Sequence, residues 1–163
     1  MKIYIVIPAH NEENNIGITL SSLVNQELKP TQVVVVNDNS TDRTSEIVEG
    51  FTRQYSWIKQ IYRKSSDDHL PGEKIVEAFY NGYDILGEDY EIICKYDADM
   101  VFKSNYLLRL SQHFEGNKRL GMAAGQCYIQ KDDQWILENQ NKDDHIRGGL
   151  KAYRKECFLE IGK

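Results

Sequence analysis

EIICKYDADM (91–100) joins a short apolar run to two aspartates one residue apart. Ile92, Ile93 and Cys94 carry no polar face, which suits a strand covered on both sides, as in a parallel sheet. Asp97 and Asp99 follow at its carboxyl end. With strand geometry continued through them, period-two alternation puts both carboxylates on one side. Two carboxylates held together repel unless a cation or a donor lies between them. Hard oxygen ligands suit Mg2+ or Mn2+ bridged to substrate phosphates. A turn leading into a helix N-cap uses the same residues, so the pair alone leaves both readings open.

Working outward, IYIVI (3–7), QVVVVND (32–38) and WIKQIY (57–62) read as three earlier strands, and LGMAAGQCYI (120–129) as a later one with close backbone packing at its glycines. Helical spacing separates them: Ile16, Leu20, Leu23 and Val24; then Ile47, Val48 and Phe51; then Ile75, Val76, Phe79 and Tyr83; then Leu107, Leu108 and Leu110. KSSDDHLPGE (64–73), polar with a Pro-Gly pair, reads as a loop. The alternation predicts an α/β fold, a mostly parallel sheet flanked by helices in three layers. Crossovers are right-handed in such sheets, and ligands bind at the carboxyl ends of the strands. Three polar clusters occupy such ends: PAHNEE (8–13), NDNSTD (37–42) and DADM (97–100).

The chain of 163 residues suits one domain, 1–163, with a sizeable core. A net charge of −5, without a long run of one sign, argues against nonspecific binding of a nucleic-acid polymer. Cys94, Cys127 and Cys157 are scattered, which speaks against a disulfide framework or a zinc site and for reduced thiols in a cytosolic protein. No apolar run approaches the ~20 residues of a membrane span.

Each cluster also has a plain reading. Asp38 ends its strand and can accept from the N–H edge of a base, while Asn, Asp, Ser and Thr are the default residues of a strand-to-helix turn. Asp42 reads as a helix cap or first-turn residue, and Glu12 and Glu13 favour a helix N-terminus. His10 has no second histidine at ligand spacing.

Together and in this order, VIPAHNEENNI, VVVVNDNSTDRT and IICKYDADM resemble the nucleotide-sugar-dependent glycosyltransferases of family 2, whose fold is the Rossmann-like GT-A fold. The match runs from residue 3 to about 116 and continues more weakly. The resemblance implies an enzyme that moves a sugar from a nucleotide-diphosphate sugar to an acceptor hydroxyl. It implies inversion, dependence on Mn2+ or Mg2+, and a place in cell-surface polysaccharide or glycolipid synthesis. Pro8, Ala9 and Glu12 match the segment lining the nucleoside pocket; Asp38 matches the acidic residue that binds the base. Asp97 matches the first aspartate of the DxD motif, near ribose or metal, and Asp99 the second, a ligand of the ion on the diphosphate. The implied donor is a UDP-, GDP- or dTDP-sugar and the acceptor a saccharide or a lipid-linked one. The implied location is the cytoplasm, at the inner face of the membrane if regions outside this chain bring it there.

PGEKIVEAFYNGYD resembles a family stretch through Gly72, Lys74, Ala78 and Gly82, with Lys74 able to approach the donor; the family's usual Asn falls on Tyr80, with Asn81 one place later. HIRGGLKAYRKECF (145–158) resembles a segment under the acceptor side. There His145 and Arg147 could reach diphosphate or acceptor and Gly148 and Gly149 admit close backbone approach; a sheet-edge turn with surface charges reads equally well. Tyr153 and Phe158 read as core. The family's base usually lies in an acidic segment further on, and Asp143 and Asp144 are the nearest candidates here. The expectation is a C-terminally truncated donor-binding part that binds nucleotide and transfers poorly. A non-catalytic nucleotide-binding module is the alternative. A nucleotidyltransferase is a further one, disfavoured because PAHNEE lacks the glycines of a triphosphate cradle.

Overall fold

The computed structural model describes residues 1–65, 72–138 and 146–161. Four strand–helix units come first: β1 (Ile3–Ala9), α1 (Ile16–Val24), β2 (Gln32–Asp38), α2 (Thr44–Gln54), β3 (Ile58–Arg63), α3 (Glu73–Asp84), β4 (Ile92–Tyr96) and α4 (Tyr106–Gly116). They are followed by β5 (Met122–Ala123), β6 (Tyr128–Lys131), β7 (Gln134–Leu137), β8 (Leu150–Arg154) and α5 (Lys155–Ile161). The main sheet runs β3-β2-β1-β4-β8-β5; the first four of these strands are parallel, and β8 is antiparallel to both neighbours.

The apolar runs are apolar on both faces because both faces are covered. Ile3, Ile5, Ile7, Val33, Val35, Ile92 and Cys94 pack with Leu20 and Leu23 of α1, Val48 of α2 and Leu107, Leu110 and Phe114 of α4. The alternate residues Tyr4, Val6, Val34, Val36 and Ile93 pack with Ala78, Phe79 and Tyr83 of α3 and Phe158 of α5. The expected three-layer α/β arrangement is therefore present, with Phe158 in the core and Tyr153 packed against it.

Three expectations need correction. Only Met122 and Ala123 of the segment 120–129 join the main sheet, whereas Tyr128 and Ile129 belong to the separate β6–β7 hairpin. Its glycines do pack closely: a Cβ on Gly121 would lie 2.7 Å from Cys157 Sγ, and one on Gly125 2.7 Å from the Tyr106 ring. The segment 150–154 is an interior strand between β4 and β5 rather than an edge turn. The fourth strand stops at Tyr96, and Ala98 and Asp99 form a turn, so the continuous strand needed to align Asp97 with Asp99 is absent.

Candidate functional site

Period-two alternation from the core residues places a row of polar side chains on the α3 face, where the parallel strands end. Pro8 ends that face of β1, beyond the last β1–β4 pair, Val6↔Lys95, so its missing N–H removes nothing from that ladder. Asp38 and Arg63 are register partners on β2 and β3. Asp38 is only 8 % exposed. One carboxylate oxygen, Oδ1, accepts the N–H of Ser65 at 3.0 Å, and Oδ2 lies 3.7 Å from Arg63 Nη1. Arg63 also donates to the Lys74 carbonyl at 2.8 Å and pairs with Glu77, joining the end of β3 to the first turns of α3. Nothing in the sequence marks Arg63 for this role except its position at the end of a strand.

The DADM turn is held from several sides. Asp97 donates its N–H to the Gly149 carbonyl at 2.9 Å and pairs through its carboxylate with Lys95. Gly149 lies so close that a Cβ there would collide with the Asp97 carboxylate. From the opposite face, Thr19 of α1 donates its hydroxyl to the Ala98 carbonyl at 2.6 Å. Asp97 is half-exposed and Asp99 exposed. Among the described residues no three His, Cys, Asp or Glu side chains cluster into a metal cage. Two carboxylates of this kind fit an ion that draws its remaining oxygens from substrate phosphates and water.

The loops after β1 and β2 are laced together; Glu12 and Glu13 precede the Asn15 cap of α1, and Asp42 stands one residue before the Arg43 cap of α2, so these acids tie the loops together rather than occupy a cap or a first turn. His10 donates from Nδ1 to the Asp38 carbonyl at 2.6 Å, a tautomer that leaves Nε2 to accept from the Asn11 amide at 3.2 Å. Asn11 and Asn39 take left-handed φ angles of 54° and 57°, which asparagine tolerates. The N–H of Asn11 reaches Ser40 Oγ at 3.0 Å, and Asn11 Oδ1 accepts the N–H of Thr41 at 2.8 Å. Glu12 donates its N–H to Thr44 Oγ1 at 2.7 Å, and its carbonyl accepts the N–H groups of Asn15 and Ile16. Asp42 accepts the N–H groups of Thr44 and Glu13 at 2.9 and 3.0 Å. Desolvation alone would push the Asp42 carboxyl up, but its hydrogen bonds, with Thr44 foremost, outweigh it and hold the group below its ordinary value.

The remaining residues divide. Ala9 is buried on the opposite face of the sheet, among the α1-side core, so it offers the site backbone only. Lys74 is half-buried in the first turn of α3, while Asn81 is exposed further along the helix. Ala78 and Gly82 serve packing: a Cβ on Gly82 would come within 2.5 Å of Val6 and 2.7 Å of Val36. Arg147 stands near Gly149 in the chain, but its guanidinium pairs with Glu138 at the base of the β6–β7 hairpin. His145, Asp143 and Asp144 lie outside the described residues.

A family model described as "Glycosyl transferase family 2" matches residues 4–160. The probable glycosyltransferase YdaM of Bacillus subtilis is 39 % identical over 130 residues, which cover 78 % of this chain and 30 % of that protein. S. aureus TarS 1-349 in complex with UDP-GlcNAc superposes with a TM-score of 0.69 at 20 % identity, covering 95 % of this chain and 46 % of that one. The mannosyltransferase PcManGT of Pyrobaculum calidifontis, in complex with GDP-Man and Mn2+, superposes with a TM-score of 0.67 at 17 % identity, covering 99 % and 46 %. The chain thus spans less than two thirds of the length of these relatives.

Proposed function

The chain belongs to glycosyl transferase family 2, and from that premise we propose that its α3-face row is the donor site of a metal-assisted sugar transfer from a nucleoside-diphosphate sugar to an acceptor hydroxyl. The observation that carries this reading is the order of side chains along the strand ends: Asp38 on β2, Pro8 on β1 and Asp97 just past β4. A base set against Pro8 would present its N–H edge to Asp38, a nearly buried carboxylate whose second oxygen lies 3.7 Å from Arg63 rather than at hydrogen-bonding distance. Uracil N3–H and the guanine edge both supply that donor. Lys74, at the start of α3, adds a positive charge toward the donor. Ala9 and Glu12 shape the backbone beside the pocket.

The leaving group is a nucleoside diphosphate, so stabilisation of developing negative charge is the main electrostatic requirement. Mn2+ or Mg2+ held by Asp99 and Asp97 would supply it when bound. The chain's own part is to keep the carboxylates placed, through Gly149, Lys95 and Thr19. The reaction inverts at the anomeric carbon, and the acceptor is a growing cell-surface polysaccharide or a glycolipid. Calorimetric titration of UDP and GDP, each with and without Mn2+, tests this against Asp38→Ala and Asp99→Ala. Metal-assisted binding of one nucleotide, weakened in both variants, is expected. Equal binding by wild type and Asp38→Ala removes the base-recognition role.

A further inference from the structure

Two lysines stand beside the DADM turn. Lys95 and Lys151 are directly opposite one another across the β4–β8 antiparallel pair. Residues so placed project from the same face of a sheet, and like charges there repel. The Lys95 side chain is only 14 % exposed and pairs with Asp97. Lys151 is half-buried and makes no ion pair among the described residues. Two lysines side by side at a partly buried position are unfavourable unless negative charge lies close to both. Asp97 supplies such a charge to Lys95, and Asp99 carries another two residues further along the chain, in the turn. The four side chains sum to zero, so the turn differs from an open pair of carboxylates.

We propose that Lys95, with Lys151 beside it, is the resident counter-charge of the DADM turn and makes binding of a divalent ion there depend on a bound diphosphate. The ammonium of Lys95 occupies the Asp97 carboxylate that a free ion would seek. On the Gly149 side the carboxylate lies where a Cβ would collide with it, so the glycine leaves it room beside Lys95. A bare ion is left with exposed Asp99 and water. When a diphosphate enters, its negative charge attracts both lysines and its oxygens complete the ion's shell. Ion and nucleotide then bind together, each strengthening the other by the same factor. Lys95 acts through Asp97 and is a positioning residue.

This inference rests on the donor-site reading, and the experiment separates their failures. Mn2+ is titrated without nucleotide into wild type, Lys95→Met, Lys95→Arg, Lys151→Met and the double variant Lys95→Met/Asp97→Asn, with free Mn2+ read by its paramagnetic resonance signal. Wild type and Lys95→Arg are expected to bind weakly. Lys95→Met should bind more than about tenfold tighter because an uncancelled negative charge is exposed to the ion. Lys151→Met should gain less, and the double variant should return to the wild-type value. Tight binding of bare Mn2+ by wild type, or no gain in either Lys95→Met or Lys151→Met, overturns the inference. UDP and GDP are titrated into wild type with Mn2+ in parallel. Failure of both to bind rejects the donor-site reading and the coupling with it; nucleotide binding with no gain in the lysine variants rejects the coupling alone.

Discussion

Gly82 and Gly50 both lie within helices, and replacing each with alanine should have opposite effects. In α3, Gly82 faces the sheet, and an added Cβ would sit 2.5 Å from Val6 Cγ1 and 2.7 Å from Val36 Cγ2. Both valines are 0 % exposed and stiff about χ1, so neither can turn aside. Ordinary contact begins near 3.4 Å, so α3 must lift by roughly 0.9 Å, and a gap of that size forfeits a quarter to a half of each dispersion contact it opens. Overpacking of this kind costs about 1–3 kcal/mol, and the looser packing around buried Ala78, Phe79 and Tyr83 adds to that. The helix gains about 1 kcal/mol from alanine. The net expectation for Gly82→Ala is a loss of about 2 kcal/mol, or a fall in Tm of about 4–8 °C for a domain of this size. In α2, Gly50 has nothing within 4 Å of an added Cβ. Gly50→Ala should therefore keep the propensity gain, up to about 1 kcal/mol, and raise Tm by about 2–4 °C. Thermal unfolding followed by circular dichroism measures both. A Gly82→Ala protein as stable as Gly50→Ala would refute the close packing of α3 on β1 and β2.

Arg63→Ala should cost about 3 kcal/mol in urea denaturation, because it strands the nearly buried Asp38 carboxylate and frees the start of α3; a loss below about 1 kcal/mol would mean that the Ser65 N–H alone suffices for Asp38. Asp42 has a folded-state value below its ordinary 3.8, so its contribution is present above that pH and is lost as pH falls through the lower folded value. Acid titration of stability should accordingly be shallower below about pH 4 in Asp42→Asn than in wild type, and identical curves would remove Asp42 from the loop clasp. Burial pushes the Cys94 thiol up to about 12, so a thiol reagent near pH 8 should label half-buried Cys127 and Cys157 first and reach Cys94 only on unfolding.

Much of the architecture was legible because its determinants are local. IYIVI, VVVV and EIIC are apolar on both faces, and a strand of that kind is stable only between two helical layers. Helical spacing at Leu20 and Leu23, or at Leu107 and Leu110, then supplied those layers, and both pairs are in the core. The three polar clusters fell at strand ends because alternating strands and helices leave them nowhere else.

What the tertiary structure alone decided concerns partners distant in sequence. β8 joins β4 as an antiparallel strand across more than fifty intervening residues, and its five residues, LKAYR, carry no apolar run to announce it. Without that pairing nothing sets Lys151 beside Lys95 or Gly149 against Asp97. The link of Arg63 to Asp38 likewise needs β2–β3 register, and the break after Tyr96 needs the Thr19–Ala98 and Asp97–Gly149 hydrogen bonds. Periodicity records which face a residue wants to bury; which charge lies opposite another depends on long-range register, whose energy comes from the packing of the whole sheet.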